Sequence, residues 1–321
     1  MISRKLGISL VILAGLIAAF ALVVTVRAAS REAALTAAHP PRGQFITVNG
    51  AQVHYLMAGS GPDLILIHGA SGNALDLAGP LMADLAQNYR VIAFDRPGLG
   101  WSDAIDGDSL TGQALHLSAA ATQLGVTNPI VVGQSYGGSV SLAFALQAPL
   151  KPRALVLISA PSLPWPGALD IWYRLTSSRL GSALIIPIAT AFVPESYVDG
   201  SITGVFAPSA VPPGYGDAID VDLTLRRSTL RANAGQVNAL RDQIVAQEPF
   251  YPLLTLPIEM LHGTEDTIVP LAIHSAPFAA RMANAHLVVI DGAGHMPHYS
   301  HTDLVLQAIA RAALRSAPQS P

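Results

Sequence analysis

The chain contains no cysteine among its 321 residues, and only 12% of its residues are charged. The lack of cysteine excludes disulfide bonds, thiolate catalysis, cysteine-based zinc sites and a lipidated N-terminal cysteine, although it does not identify the compartment. The formal net charge is −3 and no basic run follows the N-terminus, so nucleic acid is disfavoured as a partner. Because 51% of the residues are apolar, the chain can build a large core with little disorder outside its ends.

An uncharged apolar run occupies residues 7–26, directly after Arg4 and Lys5. A helix of this length can cross a bilayer, and basic residues at its start favour a cytoplasmic N-terminus. We therefore expect an uncleaved signal anchor over residues 1–29, with the remaining domain outside the cytoplasm, either periplasmic or extracellular. A signal peptide cleaved near Ala28-Ala29-Ser30, which would release a secreted protein, and a buried core helix are the alternatives.

From residue 45 onward, strand patterns alternate with helix patterns. A hairpin is predicted first, because Asn49-Gly50 separates two strand-like segments at residues 45–48 and 51–57. Buried strands are then predicted at residues 64–67, 90–94, 130–132, 154–158, 258–261 and 286–290, and helices at residues 74–88, 110–124, 139–148 and 303–315. This alternation is typical of a parallel sheet with helices on both faces.

The interval between the strands at 154–158 and 258–261 is far longer than the intervals between the other parallel strands. Prolines divide it into short pieces, and amphipathic patterns recur around residues 169–180 and 220–247. We predict a helical cap over residues 161–250, inserted between core segments 45–160 and 251–321, with a linker at residues 30–44. A structureless insertion is the alternative, although coil of this length is uncommon in compact domains.

One of these strands ends in Gly133-Gln134-Ser135-Tyr136-Gly137, and a helical pattern follows. The sequence predicts a tight turn with Ser135 at its apex, because glycine lacks the Cβ that would clash with nearby backbone. By itself the pattern also fits an ordinary glycine-rich turn.

Two further polar residues follow predicted strands, Asp266 after the strand at 258–261 and His295 after the last strand. The carboxyl ends of parallel strands meet at one edge of a sheet, so Ser135, Asp266 and His295 are expected to lie close together. Attack on an acyl carbon needs a hydroxyl, a base and a group that orients the base. The order Ser…Asp…His along the chain is typical of enzymes that carry the serine on such a turn.

With these motifs in order, the chain resembles α/β-hydrolase-fold serine hydrolases of the capped, epoxide-hydrolase-like and haloperoxidase-like branch, over about residues 45–315. The resemblance implies a mostly parallel eight-stranded sheet with an inserted helical cap. It also implies an oxyanion hole made by the backbone N–H groups of Ala70 and Tyr136, a loop at residues 95–102 that shapes the site's floor, and no cofactor. Many epoxide hydrolases and dehalogenases carry aspartate where this chain has Ser135, so those activities are disfavoured and acyl transfer is favoured.

Several residues have alternative interpretations. Glu265 neighbours Asp266 and is a second candidate for orienting the base, and His68 is expected to pack under its loop rather than to catalyse. His295, His298 and His301 have a spacing that suggests a metal cluster, but no carboxylate stands at ligand spacing and Pro297 interrupts it, so no metal is predicted.

Candidate substrate-binding residues are the aromatic side chains of the cap, with Trp165, Trp172 and Tyr173 foremost. Tyr197 and Tyr215 are further candidates, and each of the five has plain cap packing as its alternative. Asp170 is interpreted as a solvated charge.

The sequence therefore predicts a membrane-anchored serine hydrolase that cleaves a small to medium, fairly apolar carboxylic ester through an acyl-enzyme. C–C bond hydrolysis, lactone opening and peracid formation by the same three side chains remain open. A non-catalytic binding protein on a hydrolase scaffold is the alternative from another class. Oligomeric state and physiological substrate are not determined.

Overall fold

The computed structural model describes the backbone of residues 2–317 and the side chains of residues 6–317. The strands are β1 (Gln44–Val48), β2 (Ala51–Ala58), β3 (Asp63–Ile67), β4 (Arg90–Phe94), β5 (Ile130–Gln134), β6 (Ala154–Ile158), β7 (Ile258–Gly263) and β8 (Ala285–Ile290). The helices are α1 (Ile2–Ala38), α2 (Ala74–Leu85), α3 (Leu110–Gln123), α4 (Tyr136–Gln147), α5 (Ile171–Thr176), α6 (Arg179–Phe192), α7 (Glu195–Phe206), α8 (Tyr215–Ala218), α9 (Arg227–Gln247), α10 (Ser275–Arg281), α11 (Pro297–Ser300) and α12 (Thr302–Arg315).

All eight strands form one sheet in the order β1-β2-β4-β3-β5-β6-β7-β8. β2 pairs antiparallel with β1 and β4. The six strands β4, β3, β5, β6, β7 and β8, in their order across the sheet, all pair in parallel. β3 lies between β4 and β5, so the connections after β3 and β5 leave the sheet on opposite sides and open a crevice there. The mostly parallel eight-stranded sheet expected from the sequence is confirmed.

The predicted hairpin joins β1 to β2. Asn49 and Gly50 both have positive φ, 50° and 86°, and Val48 pairs with Ala51 across the turn. This backbone geometry is the one that Asn-Gly favours in a two-residue turn.

Both faces of the sheet are covered by helices. Leu64 and Leu66 of β3 pack in one apolar cluster with residues of α2 and α12. Ile65 and Ile67 of the same strand pack in a second cluster with residues of α3 and α4. Because side chains alternate along a strand, a strand covered on both faces is apolar along its covered length, which explains the unbroken apolar run from Leu64 to Ile67.

The chain between β6 and β7 is helical, as predicted, rather than structureless coil: it contains α5 to α9 and two 3₁₀ helices, at Val221–Leu225 and Glu248–Leu253. The predicted amphipathic segments correspond to α5 and α9. α6 and α7 are not indicated by the sequence, in which Pro187 and Pro194 suggest breaks. Pro187 lies inside α6, where it removes a single backbone hydrogen bond, and Pro194 caps α7.

The N-terminal apolar run lies in α1, which continues to Ala38. The prediction of a linker at residues 30–44 is therefore wrong for residues 30–38, because alanine, leucine and glutamate there favour helix and the first proline comes only at Pro40. Within the described residues, α1 is the one unbroken helix long and apolar enough to cross a membrane.

Candidate active site

Ser135 lies at the turn between β5 and α4. Its φ is 49°, in a region that residues other than glycine rarely occupy. Its N–H donates to the carbonyl of Ile158 on the neighbouring strand at 2.8 Å, and its carbonyl accepts from the N–H of Gly138 at 2.8 Å. These bonds hold Ser135 in a strained conformation at the end of the sheet, with its side chain at a cavity.

The glycines on either side of Ser135 are required by close backbone approach. A Cβ on Gly137 would overlap the carbonyl oxygens of Ile67 and His68 at the end of β3. A Cβ on Gly133 would overlap the carbonyl oxygen of Gly137 and the hydroxyl of Ser141. The turn therefore depends on glycine for the reason that the sequence suggests.

A buried carboxylate and imidazole lie at the ends of β7 and β8. His295 Nδ1 lies 2.8 Å from Asp266 Oδ2, and the N–H groups of Ile268 and Val269 donate to Asp266 Oδ1 at 3.0 and 2.9 Å. Because Asp266 engages Nδ1, the imidazole presents its Nε2 to other groups, and His295 lines the same cavity as Ser135. Glu265, the competing candidate, is exposed.

A second imidazole contacts Asp266 and was missed by sequence reasoning. His262 Nε2 lies 3.1 Å from Asp266 Oδ2 and 2.6 Å from the carbonyl of Val269, while its Nδ1 lies 2.7 Å from the hydroxyl of Ser275. The carbonyl can only accept, so the proton of His262 is on Nε2. The sequence feature that could have identified His262 is its position at the end of β7, four residues before Asp266.

The pKa of Asp266 reflects these contacts. Burial by itself would raise the pKa, but the hydrogen bonds from His262, His295 and the N–H of Val269 outweigh it and hold the pKa well below its usual value. Asp266 is therefore ionised at neutral pH, as a carboxylate must be to stabilise a neighbouring imidazolium.

The two predicted oxyanion donors belong to the loop after β3 and to the residue that follows Ser135. Ala70 follows β3 and lines the cavity with Ser135. Tyr136 is the first residue of α4, so its N–H has no acceptor within the helix and lies at the positive end of the helix dipole.

Arg96, the second residue of the predicted floor loop, is fully buried and braces this region. Its guanidinium donates to the carbonyls of His68 and Gly69, each at 2.9 Å, and to the side-chain oxygen of Gln236 of α9 at 2.7 Å. It also lies over the ring of Tyr136, 4.3 Å from the centroid. Burial lowers its pKa to about 10, so it remains charged at neutral pH.

His68 has the packing role that the sequence suggested. Its Nδ1 lies 2.9 Å from the carbonyl of Gly69, and its Nε2 accepts from the N–H of Arg96 at 2.9 Å. Burial, assisted by the charge of Arg96, lowers the pKa of His68 to about 4. His68 is therefore neutral and positions the loop that carries Ala70.

A cavity of about 410 Å³ lies between the sheet edge and the cap. Ser135, His295 and Ala70 line its floor, and four of the predicted aromatic residues line its wall, namely Trp172, Tyr173, Tyr197 and Tyr215. Most of the remaining wall is apolar: Ala189, Val193, Val198, Ile202, Val205, Phe206, Ile219, Val221, Leu225, Leu230, Ile268 and Met296.

Trp165 does not line this cavity, so its prediction as a substrate-binding residue is corrected. It precedes α5, and its ring packs edge-on against His274 with 5.8 Å between centroids. Its carbonyl accepts from Arg241 at 2.8 Å. These contacts place it in the packing between core and cap.

The wall also contains an acidic residue that the sequence did not indicate. Asp76 of α2 is buried, lines the cavity and accepts a hydrogen bond from the hydroxyl of Tyr215 at 2.8 Å. His298 Nε2 lies 3.9 Å from Asp76 Oδ1, too far for a hydrogen bond.

The other alternative residues have local roles. Asp170 accepts from the N–H of Trp172 and caps α5, and His301 contacts the hydroxyl of Ser300. Across residues 6–317, no three His, Asp or Glu side chains are grouped as metal ligands would be.

The buried histidines predict how stability depends on pH. The pKa of His68 and that of His274 are both lowered to about 4, in each case chiefly by burial. Unfolded histidine has a pKa near 6.5, so as pH falls the unfolded chain binds these protons first. This stability is fully present above about pH 6.5 and is lost as pH falls towards 4, with about 2 kcal/mol lost per histidine between pH 7 and 5.

Thermal unfolding of the full chain in detergent at pH 7, 6 and 5 measures this loss. His274→Gln keeps an acceptor for the N–H of Leu163 and should remove about half of the decline, whereas His301→Gln should not change it. Equal stability at pH 7 and pH 5 in the unmodified chain would contradict the prediction.

Comparisons with known proteins agree with this architecture. Residues 64–308 match the model of the alpha/beta hydrolase family. An uncharacterized protein of Mycobacterium tuberculosis is 29% identical over 280 residues, 85% of this chain and 81% of that protein. A pimeloyl-[acyl-carrier protein] methyl ester esterase of Xanthomonas campestris is 30% identical over 271 residues, 81% of this chain and 98% of that protein.

Among solved structures, an alpha/beta hydrolase fold protein from Burkholderia ambifaria superposes with a TM-score of 0.71 at 20% identity. The superposition covers 85% of this chain and 98% of that one. The family match spans most of the chain, including every strand from β3 to β8 and the loops that carry Ser135, Asp266 and His295. The chain therefore belongs to the alpha/beta hydrolase family and is an enzyme, a hydrolase.

Proposed function

We propose that this hydrolase cleaves small to medium, fairly apolar carboxylic esters through an acyl-enzyme on Ser135. One observation carries the proposal: Ser135, on a strained turn at a helix N-terminus, and His295, paired with the buried Asp266, line one largely apolar cavity. A hydroxyl, an imidazole and an ionised carboxylate are the side chains that acyl transfer by serine requires.

In the proposed mechanism, Nε2 of His295 takes the proton of the Ser135 hydroxyl as its oxygen attacks the ester carbon. The N–H groups of Ala70 and Tyr136 donate to the oxyanion of the tetrahedral intermediate, and Asp266 stabilises the imidazolium. His295 then protonates the leaving alcohol as the acyl-enzyme forms. In the second half, His295 deprotonates a water that attacks the acyl carbon, and the proton returns to Ser135 as the acid leaves.

The shape and lining of the cavity support the substrate class. A volume of about 410 Å³ is at the small end of the range for small-molecule sites, and the wall carries few charged groups. The Xanthomonas relative is named as a methyl ester esterase, which supports carboxylic ester chemistry. C–C bond hydrolysis, lactone opening and peracid formation would use the same three side chains. A graded series of p-nitrophenyl esters, lactones and β-diketones separates the hydrolytic reactions, and peracid formation would additionally require hydrogen peroxide in place of water as the acyl acceptor.

Ser135→Ala should abolish both ester hydrolysis and covalent labelling by a fluorophosphonate, because the attacking oxygen is removed. The expected loss of turnover is roughly 10⁶-fold. Ser201→Ala is the matched control, since it removes another hydroxyl from the same cavity and should leave labelling intact. Labelling that persists in Ser135→Ala would exclude Ser135 as the nucleophile, and no turnover together with no labelling of the unmodified chain would favour a binding protein.

Asp266→Asn should lower kcat by about 10⁴-fold with little change in KM, because an amide does not stabilise the imidazolium and favours the wrong imidazole tautomer. Glu265→Gln is the control: its carboxylate is exposed, so activity should stay within about twofold of the unmodified chain. The reverse result, with activity lost in Glu265→Gln and kept in Asp266→Asn, would transfer the orienting role to Glu265.

We further propose that α1 anchors the protein in a membrane and that the hydrolase domain lies outside the cytoplasm. The uncharged run at residues 7–26, with Arg4 and Lys5 before it, supports this topology. The full-length chain should sediment with membranes, and protease added to intact spheroplasts should digest the hydrolase domain. Release of a shortened soluble form would instead indicate a cleaved signal, and a domain protected from external protease would contradict the topology.

A further inference from the structure

The outer face of α6 is an exposed row of large apolar side chains. Leu180, Leu184, Ile188 and Phe192 are 76%, 63%, 40% and 42% exposed, and their spacing of four residues places them on one side of the helix. Ile171 and Leu175 of α5 are also exposed. We call these six residues the cap ridge. A solvent-exposed group of large apolar side chains such as this normally marks an interaction site.

The C-terminal end of the cap ridge, at Phe192, lies beside the end of the apolar run of α1. Arg27 is the first charged residue after residues 7–26, and its Nε donates to the carbonyl of Ala191 at 2.8 Å. The same guanidinium lies 5.0 Å from the centroid of the Phe192 ring, and Arg31 donates to the carbonyl of Val193 at 2.6 Å. The end of α6 is thereby held at the level where α1 would leave the bilayer.

The charges and length of α6 indicate how it would meet a membrane. Between residues 171 and 194 the only charged side chains are Arg174 and Arg179, and both are exposed. An apolar face flanked by arginine is typical of helices that lie in the headgroup region, where anionic lipids attract the basic residues. α6 has 14 residues, too few to span a bilayer, and it meets α7 at an angle of 102°.

The same helix forms part of the cavity wall. Ala189 and Val193, at the end of α6, line the cavity that contains Ser135, and Tyr197 and Val198 of α7 follow them. The ridge and the cavity wall therefore belong to neighbouring segments of the cap, next to the point where α1 joins it.

We propose that the cap ridge rests in the headgroup–acyl boundary of the leaflet from which α1 emerges, and that apolar esters dissolved in that leaflet reach the cavity past α6 and α7. The proposal rests on the proposed membrane anchoring and ester hydrolysis. Continuity with α1 selects the lipid surface as the occupant of the ridge, because a chain anchored through α1 keeps α6 beside the bilayer. A second copy of the chain is the competing occupant.

The absence of cysteine allows a direct test of depth. Full-length Leu184→Cys and Leu314→Cys variants, each labelled with an environment-sensitive fluorophore, are reconstituted in vesicles that contain anionic lipid. Leu314 is the matched control, because it is 77% exposed in the last turn of α12. Probes at 184 should be quenched by lipids that carry a nitroxide on the acyl chain, with a blue-shifted emission, whereas probes at 314 should not. Equal, weak quenching at both positions would overturn the proposal.

The competing occupant has a distinct signature. If two copies cover the ridge, probes at 184 would self-quench increasingly as the protein-to-lipid ratio rises, without quenching by acyl-chain nitroxides. That result would also overturn the proposal.

Catalysis gives the second readout. The double variant Leu180→Glu/Leu184→Glu should hydrolyse a long-chain ester embedded in vesicles at least about tenfold more slowly, since burying one leucine contributes about this factor to an equilibrium. Its activity on soluble p-nitrophenyl acetate, and the activity of Leu314→Glu on both substrates, should stay within about twofold. An unchanged rate on the embedded ester, or an equal loss on both esters, would overturn the delivery role.

Failure of the underlying function is distinguishable. If the unmodified chain hydrolyses neither ester, the proposed esterase activity fails, while the depth measurement at residue 184 still decides whether the ridge contacts lipid. If the chain does not float with vesicles, membrane anchoring and ridge docking fail together, while hydrolysis of soluble ester still reports on the catalytic residues.

Discussion

The site depends on one buried guanidinium. Arg96 donates to two successive carbonyls of the loop after β3, lies over the ring of the residue that follows Ser135, and reaches the side chain of Gln236 in the cap. Its acceptors are carbonyl and amide oxygens rather than a carboxylate. If any of these acceptors moved away, an N–H of the buried guanidinium would lose its hydrogen-bond partner, which costs free energy. The guanidinium therefore stabilises the positions of the groups around it. Arg96 thereby couples the predicted oxyanion loop, the Ser135 turn and the cap.

Asp266 is also a buried charge held by several hydrogen bonds, but it is an anion surrounded by donors rather than a cation surrounded by acceptors. One carboxylate oxygen accepts from two backbone N–H groups, and the other lies within hydrogen-bonding distance of two imidazoles. These donors outweigh the penalty of burial, and they also fix the orientation of the carboxylate towards His295. His262, which also contacts Val269 and Ser275, connects the loop that carries Asp266 to the start of α10.

The cap links the chemistry to the N-terminal helix. α6 contributes residues to the cavity wall on one side and carries an exposed apolar row on another, and its C-terminal carbonyls accept hydrogen bonds from Arg27 and Arg31 of α1. An ion pair between Glu32 and Arg227 adds a second attachment, to the start of α9. The C-terminal part of α1 is therefore attached to the cap rather than free of it.

The sequence by itself determined the succession of strands and core helices, the tight turn at Ser135 and the family, because each depends on local spacing. Periodicity distinguishes strand from helix, glycine at Gly133 and Gly137 reports a close approach of backbone, and polar residues after buried strands indicate the sheet edge. The same local rules failed where packing decides. They predicted a break at Pro187 inside α6, a linker where α1 remains helical, and a substrate contact for Trp165.

Only the tertiary structure decided which groups meet across the sheet edge. Asp266 rather than Glu265 contacts His295, because the loop after β7 buries one side chain and exposes the other, a difference that two adjacent acidic residues cannot reveal in sequence. His262 and Asp76 became part of the site through contacts with residues distant in the chain, and the junction of α1 with α6 joins segments separated by more than half of its length. Local sequence carries the conformational preferences of the backbone, but burial and partner choice are properties of the assembled fold.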